Sequence, residues 1–409
     1  MKILHVINTT HMGGTEMMLL KLISTLDRMR YEPVVATLVA VGPVGESLRR
    51  LGVPVHCFGM RRGIPDPRVI WSLVRLVRQE RPDLIQTWLH HSDLLGGLAG
   101  RLAGKVPVVW NLRNSDLQAG MNKRMTSLTA GLCARLSGWL PTRIICGSEA
   151  SRAVHSAMGY AAERLVTIPN GFDIEAFQPD SAAGPSLRQE LGIPASAPLI
   201  GLVARFDPQK GHDTFLAAAS RLHQECPDVH FILCGDDITW ENQALAAPIE
   251  QNGLRGHCHL LGRRSDMPRI QASMNIASLT STSEGFPNVL GEAMASGVPC
   301  VATDVGDAAL IVGETGRIVP PRDPEALALA WGELIGLTAE AQATLGAAAR
   351  ARVVEHFRLT AVVARYADLY DTVAFGPGAS ARGEPPLVAG SPAAAGPGKA
   401  ASDIRENSL

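Results

Sequence analysis

The sequence predicts an α/β protein of two doubly wound domains facing one another across a cleft, and three observations carry that expectation. At 409 residues the chain exceeds the roughly 250 to 300 beyond which one hydrophobic core stops growing. Short apolar runs alternate with helical stretches twice over, interrupted near residue 170. The first of these runs passes through a glycine loop into a helix, the usual opening of a doubly wound sheet.

In chain order, ILHVI (3–7) reads as a buried strand, followed by the loop with Gly13 and Gly14 and the helical EMMLLKLISTL. Strands recur at PVVATLV, VPVHCF, DLIQTWL, VPVVWNL and RIICGS, with helical segments such as IWSLVRLVRQE between several of them. Near-continuous apolar strands separated by helices imply a parallel sheet covered on both faces. The first domain is expected over residues 1–170. IPNGFDIEAFQPD, punctuated by Pro169, Gly171 and Pro179, is the crossing into a second domain at 171–357. There the alternation restarts, with strands at PLIGLVARF, HFILCGD, HCHLLG, NIASLT, PCVATD and GRIV. Residues 358–373 are expected as a closing helix that packs back on the first domain. The remainder, 374–409, is rich in Gly, Pro, Ala and Ser and reads as a disordered tail.

Composition narrows the class. Apolar residues make up 46% and charged residues 19%, ordinary for a folded soluble chain. The net charge of -1 hides a split: residues 1–170 hold 21 Lys and Arg against 11 Asp and Glu, and the rest hold 17 against 28. A basic half suits a surface that meets phosphate or membrane, although attraction between the two domains would produce the same split. Seven scattered cysteines with no close pair indicate neither a disulfide framework nor a zinc site. The amino terminus lacks a signal peptide's apolar region and no run approaches a membrane span, so a cytoplasmic location is expected.

Candidate chemistry collects at strand ends. Arg205 and Lys210 lie in LVARFDPQKGHD, on the loop between a strand and the next helix, where a helix N-terminus also favours anions. Two cations there would grip a diphosphate, unless they are simply solvated surface charges. Glu284 and Glu292 lie in SEGFPNVLGEAMASGVPCVATDVGD, the first in a loop after NIASLT and the second inside a helix whose first turn takes Pro287. A carboxylate can hold adjacent sugar hydroxyls; equally, Glu292 could only complement the helix dipole. Gly13, Gly14, Thr15 and Glu16 form a loop that lets backbone N–H groups approach a phosphate or an acceptor closely. His90 and His91 follow another strand, where a neutral imidazole could bond a sugar hydroxyl or move a proton, or merely cap the next helix. MNKRMTSLTAGLCARLSGWLP has apolar residues at helical spacing with Lys123, Arg124 and Arg135 elsewhere, the pattern of a helix that faces a core or lies on an anionic bilayer.

Taken together, Arg205, Lys210 and the segment EGFPNVLGEAMASGVPCVATDVGD, with Glu, seven residues, then Glu, resemble the donor-binding half of the retaining glycosyltransferases of family 4, which have the GT-B fold. The resemblance spans residues 1–373 and includes IPNGFDIEAF as the interdomain passage and Gly13 to Glu16 as the first-loop motif. It implies that Arg205 and Lys210 bind the donor diphosphate, Glu292 the ribose, and Glu284 the donor sugar near the reacting carbon. It also implies that Gly285, Phe286, Pro287, Asn288, Val289 and Leu290 line the donor site, and it favours His91 beside Glu284 as a catalytic candidate. The activity implied is transfer of a sugar from a UDP- or GDP-sugar to a hydroxyl, with retention, in cell-surface polysaccharide or glycolipid synthesis. Lipid-linked acceptors are frequent in the family, nucleic acid is not an expected partner, and no cofactor is expected. No Asp-x-Asp pair ends a strand, so the basic pair is expected to replace a metal ion. The rivals are a nucleotide-sugar 2-epimerase of the same architecture and a non-catalytic binding subunit; an oxidoreductase is disfavoured because no Gly-x-Gly-x-x-Gly follows the first strand. One departure stands out: VGDAALIVGETG carries Asp307 where relatives have a second glycine, and Leu310 where they have a glutamate.

Overall fold

The computed structural model describes residues 1–61, 67–113 and 121–376. The predicted tail lies outside this range apart from its first residues, which continue the last helix to Phe375. Seven parallel strands form the first sheet: β1 (Lys2–Ile7), β2 (Glu32–Thr37), β3 (Val55–Cys57), β4 (Leu84–Trp88), β5 (Val108–Leu112), β6 (Arg143–Cys146) and β7 (Leu165–Thr167), in the order β3-β2-β1-β4-β5-β6-β7. Six form the second: β8 (Leu199–Val203), β9 (His230–Cys234), β10 (Cys258–Leu260), β11 (Ile276–Leu279), β12 (Cys300–Thr303) and β13 (Arg317–Val319), in the order β10-β9-β8-β11-β12-β13. The short β7, whose three residues LVT are each half-buried, is an element that sequence periodicity does not resolve.

Both sheets reverse their winding at the centre. β1 pairs on one side with β2, Ile3 opposite Pro33, and on the other with β4, Ile3 opposite Leu84. In the second sheet β8 lies between β9 and β11, with Ile200 opposite Phe231 and Ile276. In doubly wound sheets ligands bind beyond the carboxyl ends of the strands at such a switch point. The segments that follow β1, β4, β8 and β11 carry Gly13 and Gly14, His91, Arg205 and Lys210, and Glu284.

The strands are apolar because they are buried on both sides: Ile3, Leu4, Val6 and Ile7 in β1 and Phe231, Ile232 and Leu233 in β9 are all at most 1% exposed. The chain crosses between domains twice at one place. Phe172 N–H donates to Phe357 O at 2.8 Å and Leu359 N–H donates to Phe172 O at 2.9 Å, so the outgoing and returning segments run side by side. Fully buried Phe172 stacks on Phe286 with ring centroids 6.0 Å apart. The crossing is thus packed beneath the Glu284 loop.

The last helix, Leu359–Phe375, returns to the first sheet. Its Val362, Val363, Tyr366 and Tyr370 share one apolar cluster with Ile3, Leu22 and Trp88. Its Asp371 accepts from Arg30 Nη2 at 2.5 Å and Tyr31 Oη at 3.1 Å, and Tyr370 Oη donates to Gln86. One local expectation needs correction. Pro287 is the residue before the helix Asn288–Ala295, with extended backbone (φ -73°, ψ 99°), and not part of its first turn. Of the basic amphipathic segment, the helix runs Met121–Leu136, but the side chains of Lys123 and Arg124 lie outside the described residues.

Candidate active site

The loop after β8 owes its shape to Asp207 and Gly211. Asp207 accepts from Gln209 N–H at 3.0 Å and from Arg205 Nη2 at 3.0 Å, and these bonds, the backbone one foremost, hold its carboxyl below the usual range. Gly211 then turns with φ +65°, where an added Cβ would lie 2.0 Å from Thr280 O. Only glycine fits there, and the close approach stitches this loop to the one after β11. Thr280 Oγ1 donates to Lys210 O at 2.8 Å and Thr282 N–H donates to Gln209 O at 2.8 Å.

Across that seam Lys210 Nζ meets Glu284 Oε1 at 2.5 Å, and Ser281 Oγ donates to the same oxygen at 2.7 Å. Both side chains are largely buried, 19% and 15% exposed, so this is a desolvated, charge-assisted contact and not a solvated surface pair. Arg205 is 57% exposed and paired with Asp207 at 3.0 Å. Arg205, Lys210 and Glu284 nevertheless line one cavity of about 380 Å³ together with Gly14, Thr15, Gly285, Phe286 and Asn288.

The other predicted residues fall around this cavity and do not line it. Glu292 turns toward the first domain, 3.9 Å from Lys21 Nζ, and burial raises its carboxyl pKa. Leu290 is a core residue at 1% exposure, Val289 packs against the same core, and Pro287 is buried. Gly13 and Glu16 act on one another: a Cβ on Gly13 would lie 2.4 Å from Glu16 Oε2, so the carboxylate of Glu16 folds back over the loop. His91, half-buried at the start of the helix His90–Gly104, has its pKa lowered by burial, which favours the uncharged imidazole. His90 is interior, its pKa lowered to about 3 by burial above all, with Tyr160 Oη 3.4 Å from its Nδ1.

Sequence reasoning missed Arg113. It directly follows β5, lines the same cavity as Lys210, and lies 5.4 Å over the ring of Trp88. Its Nη1 donates to Asn170 Oδ1 at 2.5 Å and its Nη2 donates to Tyr366 Oη; Asn170 Nδ2 in turn donates to Asn288 Oδ1 at 2.8 Å. The signal was available, since a cation just past an apolar strand is the reasoning that singled out Arg205. Gly147, Ser148, Gln209 and Ser283 complete the lining. Among the described residues no group of three or more His, Cys, Asp or Glu is placed to hold a metal ion.

Known proteins match the chain over most of both domains. The family model described as Glycosyltransferase Family 4 matches residues 12–176, over β2 to β7, and the one described as Glycosyl transferases group 1 matches 197–336, over β8 to β13. The chain is 28% identical over 273 residues to the UDP-Gal:alpha-D-GlcNAc-diphosphoundecaprenol alpha-1,3-galactosyltransferase of Escherichia coli, covering 66% of this chain and 70% of that one. It is 28% identical over 322 residues to the putative glycosyltransferase EpsF of Bacillus subtilis, covering 74% and 79%. Among solved structures, Anabaena HepE in complex with UDP superimposes with a TM-score of 0.80 at 26% identity, covering 90% of this chain and 99% of that one. Other structures of HepE hold UDP with glucose and UDP-glucose. With both sheets matched and the fold shared along its length, the chain belongs to the family 4, group 1 glycosyltransferases and has their GT-B fold.

Proposed function

We propose that the protein transfers a sugar from a UDP-sugar to a hydroxyl of a lipid-linked or polysaccharide acceptor, with retention of anomeric configuration. The observation that carries this reading is the Lys210–Glu284 contact at 2.5 Å, with Arg205, in a cavity at the ends of the central strands β8 and β11. Without a donor, Lys210 is neutralised by Glu284 and Arg205 by Asp207. A diphosphate entering the cavity offers more negative charge than either carboxylate and draws both cations onto itself. Glu284 is thereby released beside the donor sugar.

As the bond from the anomeric carbon to the phosphate oxygen breaks, its electron pair leaves with the nucleoside diphosphate. Two cations already in place stabilise that charge more in the transition state than in the ground state. The acceptor oxygen forms the new bond and its proton passes to the departing phosphate. In this reading Glu292 takes the ribose, the Gly13–Glu16 loop closes on phosphate or acceptor, and His91 meets the acceptor. The basic pair does the work a metal would do, so EDTA leaves turnover unchanged; loss of activity restored by Mg²⁺ or Mn²⁺ would contradict this. UDP in the HepE structures and the diphosphoundecaprenol acceptor in the name of the E. coli relative support the donor and acceptor classes. Thermal-shift screening with UDP-, GDP- and ADP-sugars tests the donor, with stabilisation expected for the UDP series.

A peripheral contact with anionic membrane belongs to the same reading. No helix among the described residues is long and apolar enough to cross a membrane. The helices Pro67–Glu80, His90–Gly104 and Met121–Leu136 pack in succession on one face of the first sheet. Trp71, Leu102, Leu128, Leu132 and Trp139 on and just after them are 43–67% exposed. Arg75, Arg78, Lys105 and Arg135 are exposed on the same stretches, whose carboxylates are Glu80, bonded to Lys2, and the buried Asp93. Basic and aromatic residues without opposing acids suit an anionic interface. Co-sedimentation with phosphatidylglycerol vesicles but not phosphatidylcholine vesicles is expected; absence of binding to both would remove the membrane from the account.

A further inference from the structure

Asp307 is where the two domains are hooked together. It follows β12 through a tight turn in which Gly306 adopts φ +55°, and a Cβ on Gly306 would lie 2.5 Å from both Glu284 O and Gly285 O. The backbone N–H of Asp307 donates to Gly285 O at 3.0 Å. Its main chain is therefore fastened to the loop that carries Glu284.

Its side chain reaches the other domain. Oδ2 accepts from Glu149 N–H at 2.8 Å and Oδ1 from Ala150 N–H at 2.9 Å. These are the first two amides of the helix Glu149–Ala157, which have no partner within the helix. The third, Ser151 N–H, is taken by the hydroxyl of Ser148 at 2.9 Å. The carboxylate is 5% exposed, and burial raises its pKa while the two amides oppose that rise. A helix N-terminus carries partial positive charge, so an anion there is favoured beyond the hydrogen bonds themselves. Gly147 and Ser148, at the foot of that helix, line the same cavity as Lys210 and Glu284.

We propose that Asp307 is a positioning residue: its carboxylate clasps the first domain's helix Glu149–Ala157 to the Glu284–Phe286 loop and sets the closure of the cleft before any ligand arrives. A glycine at this position has no side chain with which to make the clasp. This chain carries its own bridging anion at this point. The nearby Lys21–Glu292 pair, at 3.9 Å, is a looser link across the same cleft.

The test uses the full chain without ligand, so it stands apart from the assignment of sugar transfer. Asp307→Asn is nearly isosteric and loses the charge and one acceptor; Asp307→Gly removes the side chain at an ordinary backbone geometry (φ -92°, ψ 19°). Amide exchange is expected to quicken at least tenfold at both Glu149 and Ala150 in Asp307→Gly and at one at least of them in Asp307→Asn, while Ser151, held by Ser148, keeps its rate. Small-angle scattering should show a larger radius of gyration at unchanged melting temperature, and Asp307→Glu, which keeps the carboxylate, should restore slow exchange. Unchanged exchange at Glu149 and Ala150 together with an unchanged scattering profile in folded Asp307→Asn would overturn the proposal.

Discussion

The two sheets meet the same cavity with different materials. The second supplies a gripping apparatus of side chains, Arg205, Lys210 and Glu284, whose charges are paired off in advance with one another or with Asp207. The first supplies mostly backbone and surface: Gly14 and Thr15, the start of the helix Glu149–Ala157, and one cation, Arg113, held by a neutral amide oxygen and a phenol and not by a carboxylate. The charge split follows the same line, 21 basic against 11 acidic residues up to 170 and 17 against 28 beyond. On the proposed reading, the second domain's paired side chains are suited to hold a charged ester, and the first domain's backbone and single cation are suited to close over it.

The largest expected effect comes from breaking the grip. Lys210→Ala should lower turnover about 10²- to 10³-fold, the size of losing one preorganised donor to a developing anion. It should do so with little change in melting temperature, measured by steady-state assay beside calorimetry. Arg113→Lys sharpens the contrast, because it keeps the charge but loses the forked hold on Asn170 and Tyr366. A loss of about tenfold, or about 1.4 kcal/mol, is expected there, well below that of Lys210→Ala.

Acid separates the domains further. Burial holds His5 and His90 of the first domain at about 3, and, as the largest influence, His212 and His230 of the second at about 4. An unfolded histidine binds its proton near pH 6.5, so between about 6.5 and those lower values the unfolded chain binds more protons than the folded one. Stability is therefore full above about pH 6.5 and falls as pH drops toward 3. Scanning calorimetry should show the melting temperature declining through that window, and His90→Gln should flatten the decline. The smallest effect is expected at the exposed pair Arg317–Glu333, 3.0 Å apart in the second domain, where Arg317→Ala should change stability by less than about 1 kcal/mol in a denaturant titration.

Much of the fold could be read from the sequence because parallel strands buried on both faces are written as unbroken apolar runs, and all eleven further runs after ILHVI became strands. The three half-buried residues of β7 carry no such signature. At the site, Arg205, Lys210 and Glu284 could be read because each stands at the end of a central strand. Glu292 was harder, since a helical position alone does not say whether a carboxylate turns to the cavity or to Lys21 in another domain. Arg113 obeyed the strand-end rule and was overlooked; its hold on Tyr366, 253 positions away, is a tertiary fact that no local pattern encodes. The clasp at Asp307 belongs to the same class, visible as a departure but with partners 157 and 158 positions distant.

The most direct test is equilibrium binding of UDP, measured by titration calorimetry on the unaltered chain, on an Arg205→Ala, Lys210→Ala double variant and on His91→Ala. Saturable binding that the double variant loses and His91→Ala retains is the expected result. UDP bound equally well by a folded double variant would mean that the second sheet's cations do not hold the diphosphate.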